Sequence, residues 1–218
     1  SVERLAGSNR QETAMAIYQK GANDWSDTLI VVRGDSAADA LSVSAYAYAS
    51  GSPVFMTNSS GVLSDEMKQV IESGVFTQAV LIGAEQVVSS SIANYLSGVL
   101  GVRHVSRLWG NSRMETSVEV ANWAMGKKPS AAVQPEVLLH YDQMALVNGA
   151  DAHFADALSA GPLCGRQGAP LLLTTDDVSS YTLQQFVYPN ISAVSKGYLI
   201  GASEILSDTL LEELNTRW

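Results

Sequence analysis

One cysteine, Cys164, stands among 218 residues. A single thiol makes no internal disulfide, no CxxC redox pair and no thiolate zinc site, so a disulfide-stapled secreted fold is excluded while secretion is not. Charge is scarce at 16% of residues, and basic charge scarcer still: 13 Lys and Arg against 22 Asp and Glu leave a net −9. Phosphate neutralisation needs clustered cations, so a nucleic-acid binder is excluded on electrostatic grounds. Apolar runs are short; residues 79–84 fall far below the ~20 that cross a bilayer, which excludes a transmembrane helix. No secretory signal follows Ser1, so any leader would lie outside this chain. An apolar fraction of 46% is that of a globular domain and excludes disorder.

Catalytic signatures are missing as well. There is no G-x-S-x-G elbow, no H-E-x-x-H, no G-x-x-x-x-G-K-[ST] and no G-x-G-x-x-G. His104, His140 and His153 are scattered. A Cys164–His153 dyad is set aside because Cys164 falls mid-helix among Gly161, Pro162 and Leu163, where an inert buried thiol is expected. Asp35 with Asp39, and Asp151 with Asp156, carry oxygens suited to Ca²⁺, but no glycine-turned ligand loop holds them. No cofactor, no metal and no enzymatic activity are expected.

What the chain does have is repetition. Arg4-Leu5-x-Gly7-x-x-Arg10-x-Glu12-Thr13 returns as Arg107-Leu108-x-Gly110-x-x-Arg113-x-Glu115-Thr116, 103 residues later. Asp39-Ala40-Leu41-Ser42, with Gly51, Pro53 and Thr57 following, returns as Asp156-Ala157-Leu158-Ser159, with Gly168, Pro170 and Thr174, 117 residues later. Leu81-Ile82-Gly83-Ala84 returns as Leu199-Ile200-Gly201-Ala202. The repeats divide the chain at 1–103 and 104–218, with a surface insertion near 127–148 marked by Lys127-Lys128-Pro129 and Pro135.

Each repeat alternates helix and strand. The spacing of Ala14, Ile17 and Tyr18 predicts a helix after Glu12; residues 29–32, 54–57 and 79–82 read as buried strands. Ala-rich residues 40–50 stop at Gly51 before Pro53, a helix end, and Ser64 and Ser89 open two more helices. The second repeat follows with strands at 144–147, 171–174 and 198–200. Short apolar strands alternating with helices imply parallel strands with right-handed crossovers. The fold class is α/β: two tandem Rossmann-like lobes, each a small parallel sheet flanked by helices.

These three duplicated blocks resemble the cell-wall-binding repeat type 2 family of Gram-positive bacteria, over nearly the whole chain. The resemblance implies a secreted, non-catalytic module that attaches surface proteins, S-layer proteins among them, to the cell wall. The implied partner is an anionic, teichoic-acid-like wall glycopolymer, with a third repeat or self-association as a further partner. Gln11 and Met114 stand where members commonly carry an aromatic residue. The alternative is a two-lobed small-molecule or carbohydrate receptor, or an enzyme, with a cleft between the lobes.

Ligands of open parallel sheets sit at the carboxyl ends of the strands. The loops there hold Arg33, Asp35, Asp39 and Thr57 in one half, Asp151, Asp156 and Thr174 in the other. For Asp39 and Asp156 the competing expectation is helix capping. Arg4, Arg10, Arg33, Arg107 and Arg113 are five of eight arginines, suited by their planar fork to phosphate or carboxylate. Their competing role is internal pairing: Arg10 with Glu12 or Asp39, Arg113 with Glu115 or Asp156. Trp25, Trp109, Trp123 and Trp218 read as core or interface residues, with sugar stacking as the alternative.

Overall fold

A computed structural model of the chain describes residues 1–21 and 24–218. Among these, β1 (Thr28–Arg33), β2 (Val54–Thr57), β3 (Gln78–Ile82) and β4 (Val105–Leu108) form one sheet in the order β2-β1-β3-β4. The second sheet holds β5 (Gln143–Asn148), β6 (Leu171–Thr174) and β7 (Lys196–Ile200) in the order β6-β5-β7. All neighbouring strands are parallel. Helices α1 (Arg10–Lys20), α2 (Ala38–Ser50), α3 (Asp65–Glu72) and α4 (Ser90–Leu100) belong to the first lobe. The second has α5 (Arg113–Ala124), α6 (Phe154–Gln167), a π-helical turn at Leu183–Val187 running into α7 (Tyr188–Asn190), and α8 (Asp208–Arg217). The chain is thus α/β with two small parallel sheets flanked by helices, as the repeats imply. No helix of the described residues is long and apolar enough to cross a membrane.

The strands form where β-branched and aliphatic residues run together and can be buried on both faces. Leu29, Val31 and Leu81 pack with Met15, Tyr18, Phe55 and Ile71 on one face of the first sheet, while Ile30, Val32 and Ile82 face the second lobe. β4 has no such run, and its pairing crosses the boundary between repeats. Residues 105–108 follow that boundary in sequence, yet they complete the first sheet, with Arg107 opposite Leu81 and Leu108 opposite Ile82. The first repeat has the same segment: residues 2–5 read V-E-R-L against V-S-R-L at 105–108. Residues 2–5 are exposed and unpaired among the described residues, and the outer edge of β7 carries no strand. Tyr198, Leu199 and Ile200 are accordingly half-buried, whereas their counterparts in β3 are fully buried.

The lobes share one core. Helix α2 packs across α6 and α5, and the two helices α2 and α6 approach so closely that glycine is required at the crossing. A Cβ on Gly161 would lie 2.4 Å from the Ser44 hydroxyl, and one on Gly165 would lie 2.6 Å from the Ala45 carbonyl oxygen. The insertion lies largely on the surface, as expected, but it is pinned to the lobes. Val133 and Leu139 are buried in the common core, and the Glu136 carboxylate accepts from Ser26 (3.0 Å), Gln78 (3.2 Å) and Thr28 at the amino end of the first sheet. The segment clasps the lobes together because its scattered apolar residues find a groove between them.

The glycines of the helices give an opposed pair of expected outcomes. Helix propensity alone favours Gly165→Ala by about 1 kcal/mol. The clash with a fixed carbonyl costs roughly 2–3 kcal/mol, so a net loss of roughly 1–2 is expected. At Gly98 in α4 a new Cβ meets nothing within 4 Å, and Gly98→Ala should gain roughly 0.5–1 kcal/mol. Urea midpoints that moved in the same direction for both variants would refute the close crossing.

Candidate functional site between successive repeats

The duplicated R-L-x-G-x-x-R-x-E-T block builds the same loop twice. Asn9 and Ser112 cap α1 and α5 by accepting from the Glu12 and Glu115 N–H groups. Each glutamate reaches back to accept from the loop backbone, Glu12 from Ser8 N–H at 2.6 Å and Glu115 from Asn111 N–H at 3.0 Å, closing a capping box. The threonines accept from Gly7 and Gly110 N–H at 3.1 and 3.0 Å. Glycine is needed because a Cβ there would stand 2.1 or 2.2 Å from the Cβ of Glu12 or Glu115. Arg10 donates to the Gly34 carbonyl at 2.5 Å, and Arg113 donates to the matching Gly149 carbonyl at 2.7 Å. The expected pairings with Glu12, Asp39, Glu115 or Asp156 therefore give way to others. Arg113 pairs with Asp151 at 2.6 Å, because the glutamates are committed to the cap. Arg107 donates to the carbonyls of Gly83 and Val88 at 2.8 and 2.7 Å, fastening the loop after β3.

In a sheet ordered β2-β1-β3-β4 the chain reverses direction of growth between β1 and β3, and a crevice opens at their carboxyl ends. Here that crevice is a cleft of about 570 Å³ with walls from both repeats. Arg33 ends β1, Asp39 lies in the first turn of α2, and Gly83 follows β3; the facing wall is Trp109, Gly110, Asn111, Ser112 and Arg113 from the second repeat. The second repeat supplies this wall because β4 joins the first sheet.

Asp39 does not cap its helix. The N-cap is Ala37, and no donor among the described residues reaches the Asp39 carboxylate, which turns towards Gly83. Gly83 has φ +113°, and a Cβ there would lie 2.9 Å from the Asp39 Oδ2. Asp39 is 7% exposed, and burial pushes its carboxyl up to about 6 despite the nearby charges of Arg113 and Arg33. Both arginines are already matched: Arg33 by a two-pronged pair with Asp35, Arg113 by Asp151. Those pairs hold Asp35 and Asp151 below the usual carboxylate range. Trp109 is 48% exposed and lines the cleft rather than the core.

The remaining candidates are dispersed. Arg10, Asp35 and Thr57 gather with Asn58 in a neighbouring depression, where the buried Thr57 hydroxyl has no partner among the described residues. Arg4 lies in the exposed amino-terminal segment. Thr174 is bonded to Ser180 at 2.9 Å. Asp156 repeats the Asp39 arrangement without capping α6, 3.4 Å from a Cβ built on Gly201, but no tryptophan-bearing loop faces it among the described residues. Sequence reasoning missed Gly83, Asn111 and Ser112 as cleft residues, and it gave Trp109 a ligand-facing role only as the alternative to packing. The signal lay in their positions inside or beside the duplicated blocks, but their meeting depends on β4 crossing between lobes. Cys164 is buried and pushed up to about 11 by that burial, an inert thiol.

Comparison with known proteins agrees with this architecture. The model of the Cell wall binding domain 2 (CWB2) family matches residues 4–93 and 107–211. The chain is 30% identical to N-acetylmuramoyl-L-alanine amidase LytC of Bacillus subtilis, over 98% of its own length and 39% of the amidase. It is 26% identical to the Amidase enhancer of the same organism, over 97% of its length and 26% of the relative. The chain thus spans well under half of either curated relative. Among solved structures, Cwp8 from Clostridium difficile superposes with a TM-score of 0.78 at 24% identity, covering 99% of this chain and 33% of that one. Cwp6 from the same organism gives 0.79 at 25% identity, covering 97% and 31%. With its duplicated loop, its two matched segments and its shared architecture, the chain belongs to the cell wall binding domain 2 family.

Proposed function

We propose that the chain is a secreted, non-catalytic module that holds its parent protein on the cell wall by binding an anionic, teichoic-acid-like secondary polymer non-covalently. The observation that carries this reading is the cleft at the strand switch point, walled by two successive repeats and lined with Arg33, Asp39, Trp109 and Arg113. An array of such repeats gains retention by avidity, since each contact raises the effective concentration of the next. The arginines of the motif serve chiefly to set the loops that form the walls.

Retention on purified Bacillus subtilis and Clostridium difficile walls, before and after acid extraction of the secondary polymer, tests the reading. Binding to intact walls and its loss on extracted walls are expected. Equal retention on extracted walls would refute it. Release of soluble wall fragments during the incubation would favour the enzyme alternative instead.

A further inference from the structure

We propose that the cleft recognises a pyranose unit through its hydroxyl groups, with Asp39 as the acceptor and Trp109 as the stacking surface, rather than through an anionic group. The inference rests on the wall-binding reading and names what the cleft grips within the polymer.

Three observations converge. First, Asp39 is more than nine-tenths buried, lines the cleft, and has no donor among the described residues. A buried carboxylate without donors is costly, and a ligand that supplies O–H donors relieves the cost through short charge-assisted hydrogen bonds. Second, among the described residues the cleft has no uncommitted cation for an anion to claim. Arg33 faces Asp35 and Arg113 faces Asp151, so two guanidinium groups stand against three carboxylates once Asp39 is counted. A phosphate entering here would have to displace an existing pair and would meet the negative charge of Asp39. Third, Trp109 leaves about half its surface open on the opposite wall. An indole face suits the C–H face of a sugar ring, where flat apolar area and polar edges meet. The acceptor recurs in the duplicate as Asp156, but the stacking surface does not: Ala6 stands at the Trp109 position, and Asn148 at the Arg33 position. The cleft is therefore individual to this pair of repeats, as a specificity site would be.

NMR titration of the whole chain decides the matter, with N-acetylglucosamine, N-acetylmannosamine, glucose and galactose as one arm and inorganic phosphate and glycerol phosphate as the other. At least one pyranose is expected to shift the Trp109 indole and the backbone of residues 109–113, while the phosphates leave them unmoved. Asp39→Asn and Trp109→Ala should each weaken that pyranose at least tenfold, and Trp218→Ala, a tryptophan outside the cleft, should leave it unchanged. The spectra of the variants report directly whether the fold persists. Phosphates shifting the cleft while no pyranose does would overturn the proposal, as would unchanged sugar affinity in Asp39→Asn. Wall retention separates the two readings. Retention equal to wild type in both cleft variants would sink the sugar grip and leave wall anchoring standing, whereas no retention of the wild type on either wall would sink anchoring while the titration still judges the cleft.

Discussion

Trp123→Ala is expected to lower the unfolding free energy by roughly 3–5 kcal/mol, the range for deleting a fully buried large aromatic. Trp123 is fully buried in α5 and packs edge-on against Tyr46 of α2, with ring centroids 4.5 Å apart. Its Nε1 donates to the Val133 carbonyl at 2.8 Å, and the Tyr46 hydroxyl accepts from the Glu136 N–H at 3.1 Å. Burial pushes the Tyr46 hydroxyl up to about 12, so it stays neutral. One side chain thus joins a helix of each lobe to the clasping segment. Removing it leaves a cavity, an unpaired carbonyl and a loosened clasp together. The wild type should unfold in urea as one transition because the lobes share a core. Trp123→Phe keeps the six-membered ring but loses the hydrogen bond and part of the packed volume, so a smaller cost of roughly 1–3 kcal/mol is expected. Equal effects of Phe and Ala would mean that the ring contributes nothing, contrary to its burial.

Asp39→Asn should act in the opposite direction and stabilise the protein at neutral pH by as much as ~3 kcal/mol. The carboxyl sits near 6 in the folded chain against 3.8 for the ordinary group. The folded state therefore binds this proton more tightly than the unfolded state. Its contribution is most favourable below about pH 4, declines as pH rises towards 6, and is constant and unfavourable above that. The exposed carboxylates of Asp35 and Asp151 are shifted the other way and favour the fold as pH rises, so the wild-type curve alone mixes the two. The difference between wild type and Asp39→Asn isolates the buried group. Thermal melts from pH 4.5 to 7.5 should show a gap that opens with pH and levels off near 7. A constant gap would show that Asp39 does not titrate there. A residue retained against stability, inside a cleft, is one whose role is sought in binding.

Much of the fold is legible in the residues because β1, β3, β5 and β6 hold β-branched or aliphatic runs. Residues 29–32 and 171–174 are buried as such runs must be. β4 lacks one: Val105 and Leu108 flank the polar pair Ser106 and Arg107, and nothing local says which sheet they join. The clasp was illegible for a related reason. Residues 127–142 look like surface loop by their lysines and prolines, and the residues that tie it inward, Val133, Leu139 and Glu136 among them, are scattered. The motif misdirects in a more instructive way. Arg10, Glu12 and Thr13 recur in the second copy because both loops must close by the same hydrogen bonds, and that shared requirement is structural. Trp109 and Arg33, which line the cleft, are the residues that do not recur. Repetition of the R-x-E-T loop marks what both copies need to close, Asp39 recurs as Asp156 for another reason, and the departures at Trp109 and Arg33 mark where the copies differ in what they touch.

The backward reach of β4 sets how such a protein can be lengthened or trimmed. Its repeats overlap like courses of brick, with the period of the sequence and the mechanical unit out of phase by one strand. A cut between residues 103 and 104 would strip the first sheet of its fourth strand and, with the loop at 109–113, one wall of the cleft. Each added repeat would in turn finish the sheet and the crevice of the one before it, so binding capacity would grow with the number of junctions rather than the number of bricks.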